Sequence, residues 1–437
     1  MKTLLLLALT VSLVASKSLV EEFFDTMEKY HVSSRGLTSS GNKDVVRERF
    51  LNFKHFKSEV DRINGDDSIP FTAEVNMFST LTDEEKKQYT GLNISNFAEE
   101  ETVTHLSTEP LLPTSSQPKF VDWVSRGANP AMKNQGSCGS CWAFGTVSAI
   151  ESTYFLTTGD LVSFSEQELL DCTYERQGNR GCQGGWLSEP INYVKQSGRL
   201  ASSQGRSYQG RDGACNYSGV KNSLTEARVT GFQTYRGDSG LLSGVTKGVV
   251  SVALYVGNSF QSYRRGIYQD ERECSGKSPN HAVTVVGYGS TEGQNYWRVR
   301  NSWGTQWGDG GYIRMSRDVS SNCGIASHVY RPLMQCSGNC SPPQFEEQEQ
   351  EEFDDKDDSD NFDSNCENEK KDRYCEKYKR FCPDGSKYHR FMAKNCKKTC
   401  QQCDDGGDDG RKCPPGTVRC SDGVCKHEHM CHFHGGA

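Results

Sequence analysis

Nineteen cysteines divide this chain of 437 residues into three parts that must fold by different means. None occurs from Met1 to Ser137, seven lie between Cys138 and Cys323, and twelve crowd the last 102 residues. About a tenth of the rear is cysteine, which is the density of a disulfide scaffold. So many thiols exclude an ordinary reduced cytosolic enzyme unless they bind metal. The odd total leaves at least one cysteine outside any intramolecular disulfide.

The first residues fit an oxidising compartment. Lys2, the apolar run Leu4 to Val14 and the small residues Ala15 and Ser16 form a secretory signal over residues 1–16, too short to span a bilayer. The protein is expected to be secreted or lysosomal. Asn93-Ile-Ser95, Asn216-Tyr-Ser218 and Asn339-Cys-Ser341 are glycosylation sequons. A hydrophobic share of 34% supports a globular core but not a membrane bundle, and the net charge of −7 argues against a nucleic-acid-binding surface.

In the cysteine-free front, Val46, Phe50, Phe53, Phe56, Val60 and Ile63 recur at helical spacing. They predict an amphipathic helix ending near Asn64-Gly65. Arg49, Phe50, Val60 and Asn64 fall into the ERFNIN pattern, with Val45 where that pattern has Glu and Phe56 where it has Asn. Asn76-Met77-Phe78 and Leu81-Thr82-Asp83-Glu84-Glu85 follow, with Glu74 and Thr80 replacing a Gly and an Asp. The segment resembles the inhibitory propeptide of papain-like cysteine proteases of the cathepsin L-like branch. That resemblance implies a propeptide over 17–114, removed by cleavage between Pro110 and Lys119.

The middle carries the chemistry. Gln135 to Phe144 contains two cysteines three apart, Cys138 and Cys141, beside Gly136 and Gly139. A thiol attacks as thiolate, and the first turn of a helix would lower its pKa. Val147, Ile150 and Tyr154 lie at helical spacing behind it. Downstream, His281 opens a stretch in which Val283 and Val285 alternate as in a strand, and Asn301 stands in Asn301-Ser302-Trp303-Gly304. An imidazole supplies the base and later the acid. An amide can orient that imidazole. All three stretches match papain-family motifs, and the resemblance covers roughly residues 20–335.

That resemblance implies an α+β, two-lobed peptidase domain over 115–335. A helical left lobe carries Cys141, and a β-barrel-like right lobe carries His281 and Asn301. Gln135 and the Cys141 backbone N–H would bind the oxyanion, and Trp303 would shield the His281–Asn301 bond. No cofactor or metal is implied. The implied disulfides are Cys138–Cys182, Cys172–Cys215 and Cys274–Cys323. Gly184 and Gly185 match the shelf that pairs with substrate backbone. Trp186, Leu187, Ala253, Pro279, Ala282 and His328 fall at the S2-pocket positions, with His328 unusual at the pocket floor. No histidine pair of the cathepsin B occluding loop is visible, which favours an endopeptidase. The implied partners are peptide and protein substrates and the chain's own propeptide, and a monomer is expected.

The rear begins with an acidic linker, set at 336–365. From Phe345 to Asp363 it holds eleven acidic residues and one Lys, a composition that solvates rather than folds. Six cysteines over 366–403, ending in C-x3-C-x2-C, resemble a ShK-toxin-like (ShKT) module. The resemblance implies Cys366–Cys403, Cys375–Cys396 and Cys382–Cys400, and an extracellular or membrane-protein target. A tail over 404–437 adds four cysteines and, in its last eleven residues, His427, His429, His432 and His434. With Cys141 free, eighteen cysteines remain for nine bridges, and Cys336 with Cys340 is the pair left over by counting.

Overall fold

The computed structural model describes residues 18–30, 43–92, 117–174, 178–319 and 322–345, with two short strands in the tail. The chain divides into two compact units, Met1–Asp354 and Asp355–Ala437. Among the described residues no helix is long and apolar enough to cross a membrane.

Helix α1 (Leu19–Lys29) starts on a reciprocal cap. Ser18 Oγ accepts from the Glu21 N–H, and the Glu21 carboxylate accepts from the Ser18 N–H. Helix α2 (Lys43–Asn64) carries the predicted stripe and ends where predicted. The stripe serves two partners. Phe53 is buried with Phe23 and Met27 of α1. Phe56, Val60 and Ile63 join the large core that also holds Phe71, Tyr263 and Trp307. The front segment therefore has little core of its own and borrows one from the domain behind it.

Asn64 exchanges two hydrogen bonds with the Ala73 backbone, at 2.9 and 2.8 Å. This sets strand β1 (Phe71–Ala73) antiparallel to β5 (Tyr263–Tyr268). Arg49 reaches across to Glu85 at 2.6 Å and to the Thr80 carbonyl at 3.2 Å. Glu85 also caps the short helix α3 (Asp83–Lys87) through Thr82. Glu74, one of the two departures from the propeptide pattern, pairs with Arg264 at 3.3 Å.

The body has two cores. One lies among helices α4 (Cys141–Thr158), α5 (Glu166–Cys172) and α6 (Ser188–Ser197). The other underlies a nine-stranded sheet ordered β1-β5-β8-β7-β6-β4-β9-β3, with β2 (Val121–Asp122) paired to β6. The remaining strands are β3 (Ala227–Tyr235), β4 (Val250–Leu254), β6 (His281–Thr291), β7 (Gln294–Arg300), β8 (Tyr312–Ser316) and β9 (Val329–Cys336). Helices and sheet thus each cover an apolar core of a mixed α+β domain. Helix α4 packs on β4, β6 and β9. Ser251 Oγ donates to the Gly145 carbonyl at 2.7 Å across that seam. Strand β6 is buried on both faces from His281 to Gly289, so the Val283/Val285 alternation marks a central strand rather than a half-exposed one. Lys133 bridges the buried Glu151 and Glu166 at 2.6 and 2.5 Å, tying α4 to the start of α5.

The three implied bridges of the middle are formed, and so is Cys336–Cys340. Cys141 is the free cysteine among the described residues.

One boundary needs correction. The linker does not begin at 336. The Ser337 N–H donates to Glu226 O at 2.8 Å, and the Ser341 N–H to Thr158 O at 3.3 Å. Phe345 sets its ring edge against Trp123 at 5.8 Å, with Arg126 over both rings. Residues 336–345 lack the charge run, which starts at Glu346, and so they pack.

In the second unit, Val418–Arg419 pairs antiparallel with Cys425–Lys426. Asn216 and Asn339 are exposed. The signal segment, Asn93, the acidic run, the six ShKT-like cysteines and the tail histidines lie outside the described residues.

Candidate active site

Cys141 is the first residue of α4, as its motif predicts. The loop before it needs its glycines. Gly136 has φ +60, and a Cβ on Gly139 would stand 2.6 Å from the Cys182 carbonyl oxygen. Burial pushes the Cys141 thiol up to about 12. It outweighs the backbone N–H groups of Ala282, Gly91, Trp142 and Cys141 itself, which favour the thiolate.

His281 opens β6, and its Nε2 lies 2.8 Å from Asn301 Oδ1. That oxygen also accepts the Ser302 N–H at 2.8 Å. It is thus an acceptor, and Nε2 carries the proton. Nδ1 is buried without a hydrogen-bond partner, so its lone pair is available. Trp303 lies over the imidazole at 4.9 Å between centroids. Burial pushes His281 down to about 4, against the upward pull of Asn301. Exclusion of water from both groups favours the neutral thiol and the neutral imidazole.

Gln135 is held by Ser302, whose Oγ donates to Gln135 Oε1 at 2.5 Å. This turns Nε2 toward the cleft, where it donates to Cys138 O at 2.8 Å and to Tyr89 O of the front segment at 3.1 Å. Trp303 Nε1 donates to the same Tyr89 oxygen at 3.1 Å. The segment then runs along the glycine shelf. The Gly185 N–H donates to Gly91 O at 2.8 Å, and the Leu92 N–H donates to Asn280 O at 3.0 Å. A Cβ on Gly91 would meet Gly139 O at 1.9 Å, so only glycine passes this close.

Of the six positions matched to the S2 pocket, four share one apolar cluster. Trp186, Leu187, Ala253 and Ala282 are buried in one apolar cluster, and Leu92 joins it. Pro279 and His328 are half-buried. The His328 ring meets Trp186 edge-on at 5.3 Å, and its Nδ1 lies 3.0 Å from Ser327 Oγ. Sequence reasoning missed three contributors: Ser302, Tyr208 and the Tyr89–Leu92 segment. Ser302 stood inside a quoted motif. Tyr208 sits in a long loop that offers no local signal.

Residues 117–333 match the family described as papain family cysteine protease. The chain is 37% identical to ananain of Ananas comosus over 296 residues, 66% of this chain and 83% of that protein. The chain belongs to the papain family of cysteine proteases. Procathepsin L of Rattus norvegicus is 39% identical over 272 residues, 60% of this chain and 78% of its own length. The crystal structure of the ragweed pollen cysteine protease Amb a 11 in its proform superposes with a TM-score of 0.63 at 30% identity, covering 72% of this chain and 95% of that one. This papain-family peptidase is a hydrolase made as a proform, and residues 89–92 are the part of the front segment that lies against Gln135, Trp303 and Gly185.

Proposed function

We propose that the protein is an endopeptidase acting through a Cys141 thioester. The observation that carries the proposal is the propeptide strand itself. The cleft accepts main chain, with the Tyr89 carbonyl, in the turn that ends α3, on Gln135 Nε2 and the Gly91 carbonyl on the Gly185 N–H, and Leu92 beyond it bridged to Gly185. In the opened enzyme His281 Nδ1 takes the Cys141 proton, and the thiolate attacks the scissile carbonyl carbon. Gln135 Nε2 and the Cys141 N–H stabilise the oxyanion. The imidazolium returns its proton to the leaving amine, and water, deprotonated by His281, cleaves the thioester. Asn301 holds the Nε2–H tautomer throughout.

Leu92 in the apolar cluster supports a bulky apolar P2 residue for the pocket of Trp186, Leu187, Ala253, Pro279, Ala282 and His328. His328 at its edge would admit acidic or polar P2 groups when protonated. A peptide library cleaved at pH 5 and pH 7 by wild type and His328→Ala reads this directly. An unchanged P2 profile removes the idea.

The remaining assignments extend the same reading. Residues 1–16 direct the chain to the secretory pathway, 17–114 inhibit until cleaved, and Asn93, Asn216 and Asn339 carry glycans. The acidic tether joins the peptidase to the ShKT-like module over 366–403 and the tail over 404–437. The module is a binding or targeting unit. A second reading makes the rear module the effector and the protease its carrier. Comparison of the full chain with Cys141→Ala decides between them. Loss of peptide hydrolysis together with loss of the biological effect supports the peptidase. Full retention of the effect supports the carrier.

A further inference from the structure

We propose that Tyr208 is a positioning residue for the oxyanion-binding pair of this cleft. The proposal rests on the reading of Gln135 and Cys141 given above. The Tyr208 hydroxyl lies 2.7 Å from the Gln135 carbonyl oxygen and 2.7 Å from Ser140 Oγ. A phenol has one proton. It goes to the carbonyl, which can only accept, so Ser140 donates to the phenol oxygen.

Ser140 is the N-cap of α4. A serine there ordinarily turns its hydroxyl onto the second or third N–H of the helix. Ser140 makes no such bond. Its hydroxyl is drawn to Tyr208, the Ala143 and Phe144 N–H groups donate to the Ser140 carbonyl at 2.9 and 3.1 Å, and the residue so held is the one whose peptide carries the Cys141 N–H.

Gln135 is clamped at the same time. Its N–H donates to Ser302 O at 2.8 Å and its carbonyl accepts from Tyr208 at 2.7 Å. One hydroxyl thus spans residue 135, which supplies the side-chain donor, and residue 140, which precedes the backbone donor. The distance between the two donors is what an oxyanion hole must fix.

The loop bearing Tyr208 is itself braced. The Gln209 N–H donates to Gln167 Oε1 at 2.8 Å, Ser165 Oγ donates to Arg206 O at 2.7 Å, and the Arg206 guanidinium pairs with Asp171. The phenol ring stands edge-on to Phe144 at 4.9 Å. Burial pushes the hydroxyl up to about 12, so it remains a donor across the working range.

The test is Tyr208→Phe in the full chain after activation. The expected result is a fall of about tenfold in kcat on an amide substrate, with KM within about twofold. The rate of Cys141 alkylation by iodoacetamide, and its pH profile, should be unchanged, because alkylation builds no oxyanion. Ser140→Ala should act in the same direction, and the double variant should be no worse than the more affected single one. The proposal is overturned by a Tyr208→Phe kcat within about twofold of wild type. It is equally overturned if kcat, alkylation and thermal midpoint all fall together, which is the mark of a merely structural role. A wild-type chain that is alkylated at Cys141 yet hydrolyses no peptide overturns the peptidase reading, and Tyr208's role with it. An active wild type with an equally active variant overturns the role of Tyr208 alone.

Discussion

Ser302 donates its hydroxyl to Gln135 Oε1 at 2.5 Å while its own N–H donates to Asn301 Oδ1 at 2.8 Å. One residue therefore orients both amides of the site, through different atoms. Replacing Ser302 by Ala removes the first bond and keeps the second. The expected outcome is a tenfold to hundredfold lower kcat, on the order of losing one oxyanion donor, with the pH profile of kcat/KM intact because Asn301 still holds His281. Steady-state kinetics from pH 4 to 8 check this. A shifted profile would show that Ser302 acts through the imidazole instead.

Gly91 passes so near Gly139 that a Cβ would stand 1.9 Å from its carbonyl oxygen. Gly91→Ala should lift the strand off the shelf and break the bond to the Gly185 N–H. The isolated propeptide should then inhibit at least about tenfold more weakly, the loss of roughly one buried hydrogen bond plus contact, with its helical circular dichroism unchanged. Equal inhibition constants for the two propeptides would count against the strand as the blocking element.

The thiol should be silent in the proform. With Cys141 pushed up to about 12 and His281 down to about 4, the thiolate fraction at pH 7 is roughly one part in 10⁵. Iodoacetamide should modify the activated enzyme at least about a hundredfold faster than the proform. Mass spectrometry of both forms over a time course gives the two rates. Similar rates would mean that water already reaches the site under the propeptide.

Acid should loosen the propeptide at Arg49–Glu85. Burial pushes the Glu85 carboxyl up, but the Arg49 guanidinium and the Thr82 N–H outweigh it and hold it below the ordinary 4.5. A carboxyl lowered on folding stabilises the fold above its unfolded value and loses that contribution as pH falls through the folded one. The bridge is part-exposed, so its worth is about 1 kcal/mol or less. Glu74 and Glu273 have the opposite sign. Burial raises both, so neither drives acid release. Glu85→Gln should weaken inhibition at neutral pH and flatten its acid limb below about pH 4.5, whereas Glu74→Gln should leave that limb in place. Inhibition constants across pH 3.5 to 7 distinguish the two.

Much of the fold was legible because its signals are local. The stripe from Val46 to Ile63 gave a helix that ends where expected, at Asn64, and starts before the stripe, at Lys43. The sequence did not reveal that Phe53 faces α1 while Phe56, Val60 and Ile63 face the peptidase, since both partners select the same apolar residues. The Val283/Val285 alternation identified a strand, but not that α4 covers it on one side and other strands flank it. The tether was placed too early because Cys336 to Phe345 carries neither charge nor periodicity. What holds that stretch is a set of contacts to Glu226, Thr158 and Trp123.

The residue types and order of Gln135, Cys141, His281 and Asn301 pointed to cysteine-peptidase chemistry before any fold was known, because each motif is a few consecutive residues with one chemical purpose. The tertiary structure decided the state of that chemistry. Burial under Tyr89, Gly91 and Leu92 favours the neutral thiol and imidazole, and burial depends on what lies opposite. It also decided which groups hold the site. Tyr208 reaches Gln135 across a separation of 73 residues, and Ser302 reaches the same residue across 167. Hydrogen bonds act over about 3 Å, and only the folded chain brings such distant residues that close.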